Sequence, residues 1–368
     1  MKSLYYFNPI TVRNTFFRKD ALAWAKMYKF LGQAVGLNDR TGYFQQPLNL
    51  KVHPTCMMPD LKYSKTTYKE CCDIRAKELY DFAGKTGKPL GIMWSGGIDS
   101  TNILVSFLRN YTVAELKDRI KIILSLDSAV EYPEFYQKYV LPNFEFVNSE
   151  YLPWLFDGSM TLVTGEFNDQ LFGSDMIKVY LVKDGVGEIN AQFDRNKIFN
   201  YANRRIQDAD ITNVLVDSVM ESARLHGIEF EKNTDWFWWW NFCFKWQTVH
   251  FRTYALTMPK YIHTIDAEWE SQNLIHFYET DEFQLWSMNT PEVRYITDWK
   301  NYKMQCKDVI YEFDKNEEYR LLKTKKPSLN NIFQQRLVSE AITSDFEILS
   351  SFDPNDYYNK DNFFKFPR

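Results

Sequence analysis

Trp94-Ser95-Gly96-Gly97-Ile98-Asp99-Ser100-Thr101 is the stretch whose reading decides the fold. A short apolar run, residues 90–94, precedes it, and a helical pattern over residues 101–109 follows. A strand that breaks at two glycines and runs straight into a helix aims backbone N–H groups at one point, where an anion can sit. Gly96 and Gly97 permit close approach because they carry no Cβ. Ser95, Ser100 and Thr101 add hydroxyl donors, and Asp99 offers a carboxylate to a magnesium ion carried by phosphates. The plainer alternative is an ordinary strand-to-helix turn that uses two glycines.

Two nearby decoys fail. Gly97 stands where the lysine of a Walker A loop would follow. Gly84-Lys85-Thr86 has Leu79 in place of the leading glycine and precedes a strand instead of following one. Gly185-Val186-Gly187 lacks the third glycine of a dinucleotide fingerprint and, with Asp184, reads as a turn.

Working outward, the pattern predicts a helix over 63–82 and strands over 90–94, 121–126, 143–147 and 160–164. Short apolar strands separated by helical segments predict an α/β fold with a parallel sheet. Beyond about residue 200 the strand rhythm fades, and helices are expected over 202–225, 235–257 and 281–288, a largely helical C-terminal portion. The expected organisation is an N-terminal extension (1–60), the α/β core (61–200), the helical part (201–330) and a polar, aromatic tail (331–368).

A second loop follows the fourth strand: Thr164-Gly165-Glu166-Phe167-Asn168-Asp169-Gln170-Leu171-Phe172-Gly173-Ser174. The plain reading is a strand end followed by an acidic helix start. Taken with SGGxDS, however, it resembles a family signature. The first loop resembles the PP-loop of the N-type ATP pyrophosphatases, of the adenine nucleotide alpha hydrolase-like fold. The second resembles the SGEGSDELFGG segment of asparagine synthetases and their relatives, the β-lactam synthetases and lasso-peptide cyclases. Gly165, Glu166, Asp169, Leu171, Phe172 and Gly173 match, whereas Phe167, Asn168, Gln170 and Ser174 depart. The likeness runs from about residue 63 to 328, strongly at the two loops. FYETDEFQLWSMNTP (277–291) echoes PFLDxxLVEFALSLP, with Thr280 in place of the aspartate.

The resemblance implies an AMP-forming ligase using ATP and Mg2+. Such enzymes adenylate a carboxylate, release pyrophosphate and pass the acyl group to ammonia or an amine. Ser95, Gly96, Gly97, Asp99, Ser100 and Thr101 would cradle pyrophosphate, and Asp99 with Asp169 would hold magnesium. Backbone groups near Met93, Leu126, Thr164 and Gly165 would meet the nucleotide. Glu166 would act as base on the incoming amine. The family's RxK lysine falls on Lys325 or Lys326, with Lys323 in the arginine place; a solvated lysine loop is the bland alternative. Members that use glutamine begin with a nucleophilic cysteine and a glutaminase domain. Here Lys2 follows Met1, so ammonia, a substrate amine or a partner subunit is the expected nitrogen source.

Composition narrows the alternatives. Lys+Arg total 44 against 48 Asp+Glu, a net charge of −4, which is no footprint for general nucleic-acid binding. Five cysteines (Cys56, Cys71, Cys72, Cys243, Cys306) form no CxxC and no disulfide framework. The five histidines show no metal-ligand spacing. No apolar run reaches the ~18 residues of a membrane span, and the N-terminus lacks a signal peptide's apolar run, so a cytoplasmic protein is expected. The aromatic block 236–246 suits a core or a subunit contact better than base stacking, having Lys245 as its one cation. Glu131, Glu268 and Glu270 could read a substrate amine or lie on the surface. Two other functions stay open: a PP-loop enzyme modifying a nucleobase or tRNA, and an ATP-binding scaffold without turnover.

Overall fold

The computed structural model describes residues 4–5, 39–43, 50–52, 57–173, 177, 180, 184–246, 249, 267–324, 342–343 and 346–348. The chain divides into two compact units. One comprises Met1–Met58, Ala191–Ala255 and Val338–Arg368; the other comprises Pro59–Asn190 and Leu256–Leu337.

The second unit is built on five strands: β1 (Leu90–Met93), β2 (Ile120–Leu124), β3 (Glu145–Asn148), β4 (Thr161–Thr164) and β5 (Leu274–His276). Every pairing is parallel, and the order is β3-β2-β1-β4-β5. Leu90, Ile92, Ile120, Ile122, Leu162 and Val163 are completely buried. Covering both faces of the sheet explains why its inner strands β1 and β4 are buried along almost their whole length, whereas the edge strand β3 is largely exposed. Each buried apolar side chain contributes roughly 1.5–3 kcal/mol.

Seven helices bear on the site: α1 (Tyr68–Thr86), α2 (Ile98–Asn110), α3 (Leu126–Glu131), α4 (Asn168–Leu171), α5 (Asp281–Asn289), α6 (Met304–Asp314) and α7 (Glu317–Leu322). Helix α1 begins later than its hydrophobic pattern suggests because Thr67 caps it. Its hydroxyl accepts the Glu70 N–H, and the Glu70 carboxylate accepts the Thr67 N–H. Helices α1 and α6 both pack on α2, which buries Ile103, Leu104, Val105 and Phe107.

The four expected strands are present with shifted ends; Trp94 lies just past β1, its N–H donating to Ile123 O at 2.9 Å. β5 was not anticipated, since three residues beside an acidic helix carry no periodicity. In the first unit the single helix expected over 202–225 is two, Arg195–Ile206 and Ala209–Leu225. Gln207 ends the first in a left-handed conformation (φ 55°), and the Asp208 carboxylate caps the second. The aromatic block forms Asn233–Trp240 and a π-helical turn, Asn241–Lys245. Trp236–Trp240, Phe242, Phe244 and Trp246 are all buried, which makes the block a packed interior among the described residues.

Cys71, Cys72, Cys243 and Cys306 are buried free thiols. Burial pushes Cys71 and Cys72 each up to about 12, so both stay protonated and inert. Iodoacetamide at pH 8 should leave all four unmodified in the native protein and alkylate them after denaturation, as peptide mapping would show. Native labelling at Cys72 would contradict the packing between α1 and α2.

Candidate functional site

In this strand order the sequence of strands reverses between β1 and β4, and crevices outside the carboxyl ends at such a reversal are where α/β sheets bind ligands. Both loops singled out from the sequence lie there, one after β1 and the other after β4.

The first loop is held by its own serines. Ser100 Oγ accepts the Ser95 N–H at 3.0 Å and donates to Gly97 O at 3.3 Å, and Ser95 Oγ accepts the Gly97 N–H at 3.3 Å. Gly97 stands at the N-cap of the 13-residue α2 and, having no side chain, does not cap that end itself. Such a helix start favours an anion. Thr101 is fully buried, its Oγ1 accepting the Trp94 indole N–H at 3.2 Å. It therefore supports the loop from inside and does not line its mouth.

Gly96 has φ +72°, and a Cβ there would lie 2.4 Å from Ser128 O and 2.8 Å from Glu131 Cβ. Left-handed strain costs about 1–2 kcal/mol for a residue with a Cβ, before any clash with backbone. Gly96→Ala should displace the loop and destabilise the second unit by at least about 1–2 kcal/mol, as read by urea unfolding. Unchanged stability would contradict the left-handed, closely packed placement of Gly96.

The second loop touches the first: a Cβ on Gly165 would come within 3.2 Å of Asp99 Cβ. Glu166 follows, half-buried, and Phe167 is buried with φ 75°. A bulky residue in that region stores of order 1–3 kcal/mol, a cost commonly met at functional sites.

Asp99 and Asp169 converge on a cation missed by the sequence reading. Lys303, at the start of α6 with φ 59°, is completely buried. Its Nζ lies 2.6 and 2.7 Å from the two oxygens of Asp99 and 2.7 Å from Asp169 Oδ1. Burial lowers the lysine's pKa, but Asp169 and Asp99 outweigh it and hold the ammonium above the ordinary lysine range. Asn168 Nδ2 donates to Asp99 Oδ1 at 2.7 Å, and Tyr302 OH donates to Asp169 Oδ1 at 3.0 Å. Tyr68 OH donates to Asn168 Oδ1 at 2.9 Å, and Tyr278 OH donates to Asp99 O at 2.8 Å. Asn102 Nδ2 joins the two phenols, at 3.4 Å from Tyr68 OH and 3.1 Å from Tyr278 OH. Asn168, a departure from the resembled signature, thus orients Asp99. A lysine where a helix ordinarily takes Ser, Thr, Asp or Asn was the available signal for Lys303.

Met93 ends β1, and Leu126 opens α3 beyond β2, largely exposed. Lys323 reaches the same end of the sheet, its Nζ pairing with the Glu131 carboxylate and lying 3.3 Å from Glu131 O. Lys325 and Lys326 lie outside the described residues. Thr280, the substitution in the third matching segment, caps α5 by accepting the Phe283 N–H at 3.4 Å.

Asp99 and Asp169 both approach one nitrogen within 2.7 Å, so their spacing suits a shared cation. Magnesium is commonly held by one or two carboxylates together with substrate phosphates. Among the described residues no group of three or more His, Cys, Asp or Glu could cage a metal unaided. In this structure the cation that Asp99 and Asp169 share is the Lys303 ammonium, and a magnesium ion at this point would need substrate phosphates to complete its ligands. No helix among the described residues is long and apolar enough to cross a membrane. No protein-family model, curated protein or solved structure matches the chain.

Proposed function

We propose that this protein is an AMP-forming carbon–nitrogen ligase of the PP-loop, asparagine-synthetase-like kind. The observation that carries the reading is the meeting of the two loops at the strand-order reversal, with Asp99, Asp169 and Lys303 joined at one point. The N-terminus of α2 and the Ser95–Ser100 turn would hold the β- and γ-phosphates as the leaving pyrophosphate. Asp99 and Asp169 would hold magnesium, which neutralises phosphate charge when bound. Lys303, fixed and charged, is placed to offset negative charge that develops on the leaving group.

In the first half-reaction a substrate carboxylate oxygen bonds to the α-phosphorus as the bond to the β-phosphate oxygen breaks. In the second, ammonia or an amine attacks the acyl carbon, Glu166 accepts a proton from nitrogen, and AMP departs. Lys325 or Lys326 remain candidates for a further cation at the leaving group. The nitrogen comes from ammonia, a substrate amine or a partner glutaminase.

Purified protein with Mg·ATP, ammonium and a panel of amino acids and dicarboxylic acids should form AMP and pyrophosphate in equal amounts, resolved by ion-exchange chromatography. ADP and phosphate would refute the reading. One observation favours a second reading, ATP binding without turnover: the Lys303 ammonium already occupies the point that both carboxylates face. Tight ATP binding with no AMP across the panel would select it.

A further inference from the structure

We propose that His276 is a positioning residue for Glu166, acting through the hydroxyl of Thr164. The inference rests on the ligase reading and adds a residue that the two loops do not contain.

His276 ends β5 and is the register partner of Thr164 at the end of β4. Its Nδ1 lies 2.6 Å from Thr164 Oγ1, and both side chains are buried. The same Thr164 hydroxyl accepts the Glu166 N–H at 3.3 Å. Between Glu166 and α4 stands Phe167, whose left-handed backbone is the strained point of the loop; its ring meets the His276 ring edge-on, centroids 5.0 Å apart at 90°. One imidazole thus touches the residue before Gly165-Glu166 and the residue after it. The Phe277 N–H donates to Thr164 O at 3.0 Å, which fixes the backbone of the pair.

These contacts fix where the Glu166 backbone leaves β4. They bear on the half-reaction in which a base takes a proton from nitrogen. They do not involve Ser95–Ser100, Asp99 or Lys303, on which adenylation depends. A base displaced by about 1 Å can lose about 10²-fold in rate. The role predicts a split: His276→Phe, which keeps a ring against Phe167, should slow amide formation far more than pyrophosphate exchange.

The test measures two rates on the full chain with Mg·ATP and the acid panel: exchange of labelled pyrophosphate into ATP without ammonium, and amide formation with ammonium chloride added. His276→Phe should lower amide formation about 10²-fold and exchange no more than about threefold. His276→Asn, which returns a polar group to the Nδ1 position, should recover at least about tenfold. Thr164→Val should match the loss in amide formation, and the double variant should be no worse than either single one. Equal loss in both rates, or no rescue by asparagine, would overturn the positioning role and leave a packing residue. Because exchange reports adenylation alone, wild-type protein that shows no exchange overturns the ligase reading itself, and the role of His276 with it.

Discussion

Lys303→Met is expected to destabilise the second unit by about 3–5 kcal/mol, the usual cost of removing one partner from a buried ion pair. The lysine is completely buried, and its ammonium is shared between Asp99 and Asp169. Without it the two carboxylates lose the ammonium that they share. Urea unfolding followed by circular dichroism reads the difference. Combining Lys303→Met with Asp99→Asn and Asp169→Asn should restore much of the loss, because the charges then go together.

The pH dependence follows from the same pair. In the wild type Lys303 has a folded-state pKa above the ordinary lysine value. Its contribution is fully present below about 10.4 and is lost as pH rises through the folded value. Neutral pH therefore leaves it untouched. In Lys303→Met the like-charged carboxylates hold a proton more tightly than in the unfolded chain, so the deficit should shrink as pH falls toward 4. A variant as stable as wild type at pH 7 would show that the ammonium is not confined between the two carboxylates.

Asp99→Ala should reduce AMP formation at least about 10²–10³-fold, the range seen when one preorganised charge or donor is removed from a reacting site. Asp99 meets Lys303 and Asn168 through its side chain and Tyr278 through its backbone, and it stands in the first turn of α2. The substitution deletes one of two carboxylates that would hold magnesium and removes one counter-ion of a buried lysine. Circular dichroism separates the two consequences. A folded Asp99→Ala protein with undiminished AMP release would exclude the carboxylate from the chemistry.

The parallel sheet was legible because β1, β2 and β4 are short, mainly apolar segments, each followed by a turn and a helix. The two loops were legible for the same reason: glycine is scarce, and Gly96, Gly97 and Gly165 sit at strand ends. β5 was not, since Leu274–His276 is too short to show a period and is recognised only by its pairing with β4. Lys303 was hidden more deeply. Lysines are read as surface residues, and nothing local reveals that residue 303 lies against residues 99 and 169. In the sequence Asn168 is only a departure from the resembled signature, whereas in the structure its amide bridges Tyr68 and Asp99. His276 was one of five histidines without ligand spacing, and its partner is a threonine 112 residues away in the chain.

As proposed, the ligase joins a carboxylate to the α-phosphate of ATP. The most direct measurement supplies the acid panel with both carboxylate oxygens as 18O, with Mg·ATP and ammonium, and weighs the nucleotide product by mass spectrometry. The predicted result is AMP carrying one 18O atom, transferred when the acyl–phosphate bond is broken on the carbon side. AMP without label would mean that water, not a carboxylate, attacks the α-phosphorus, and label in inorganic phosphate beside ADP would place the cleavage at the γ-phosphate; either result contradicts the account.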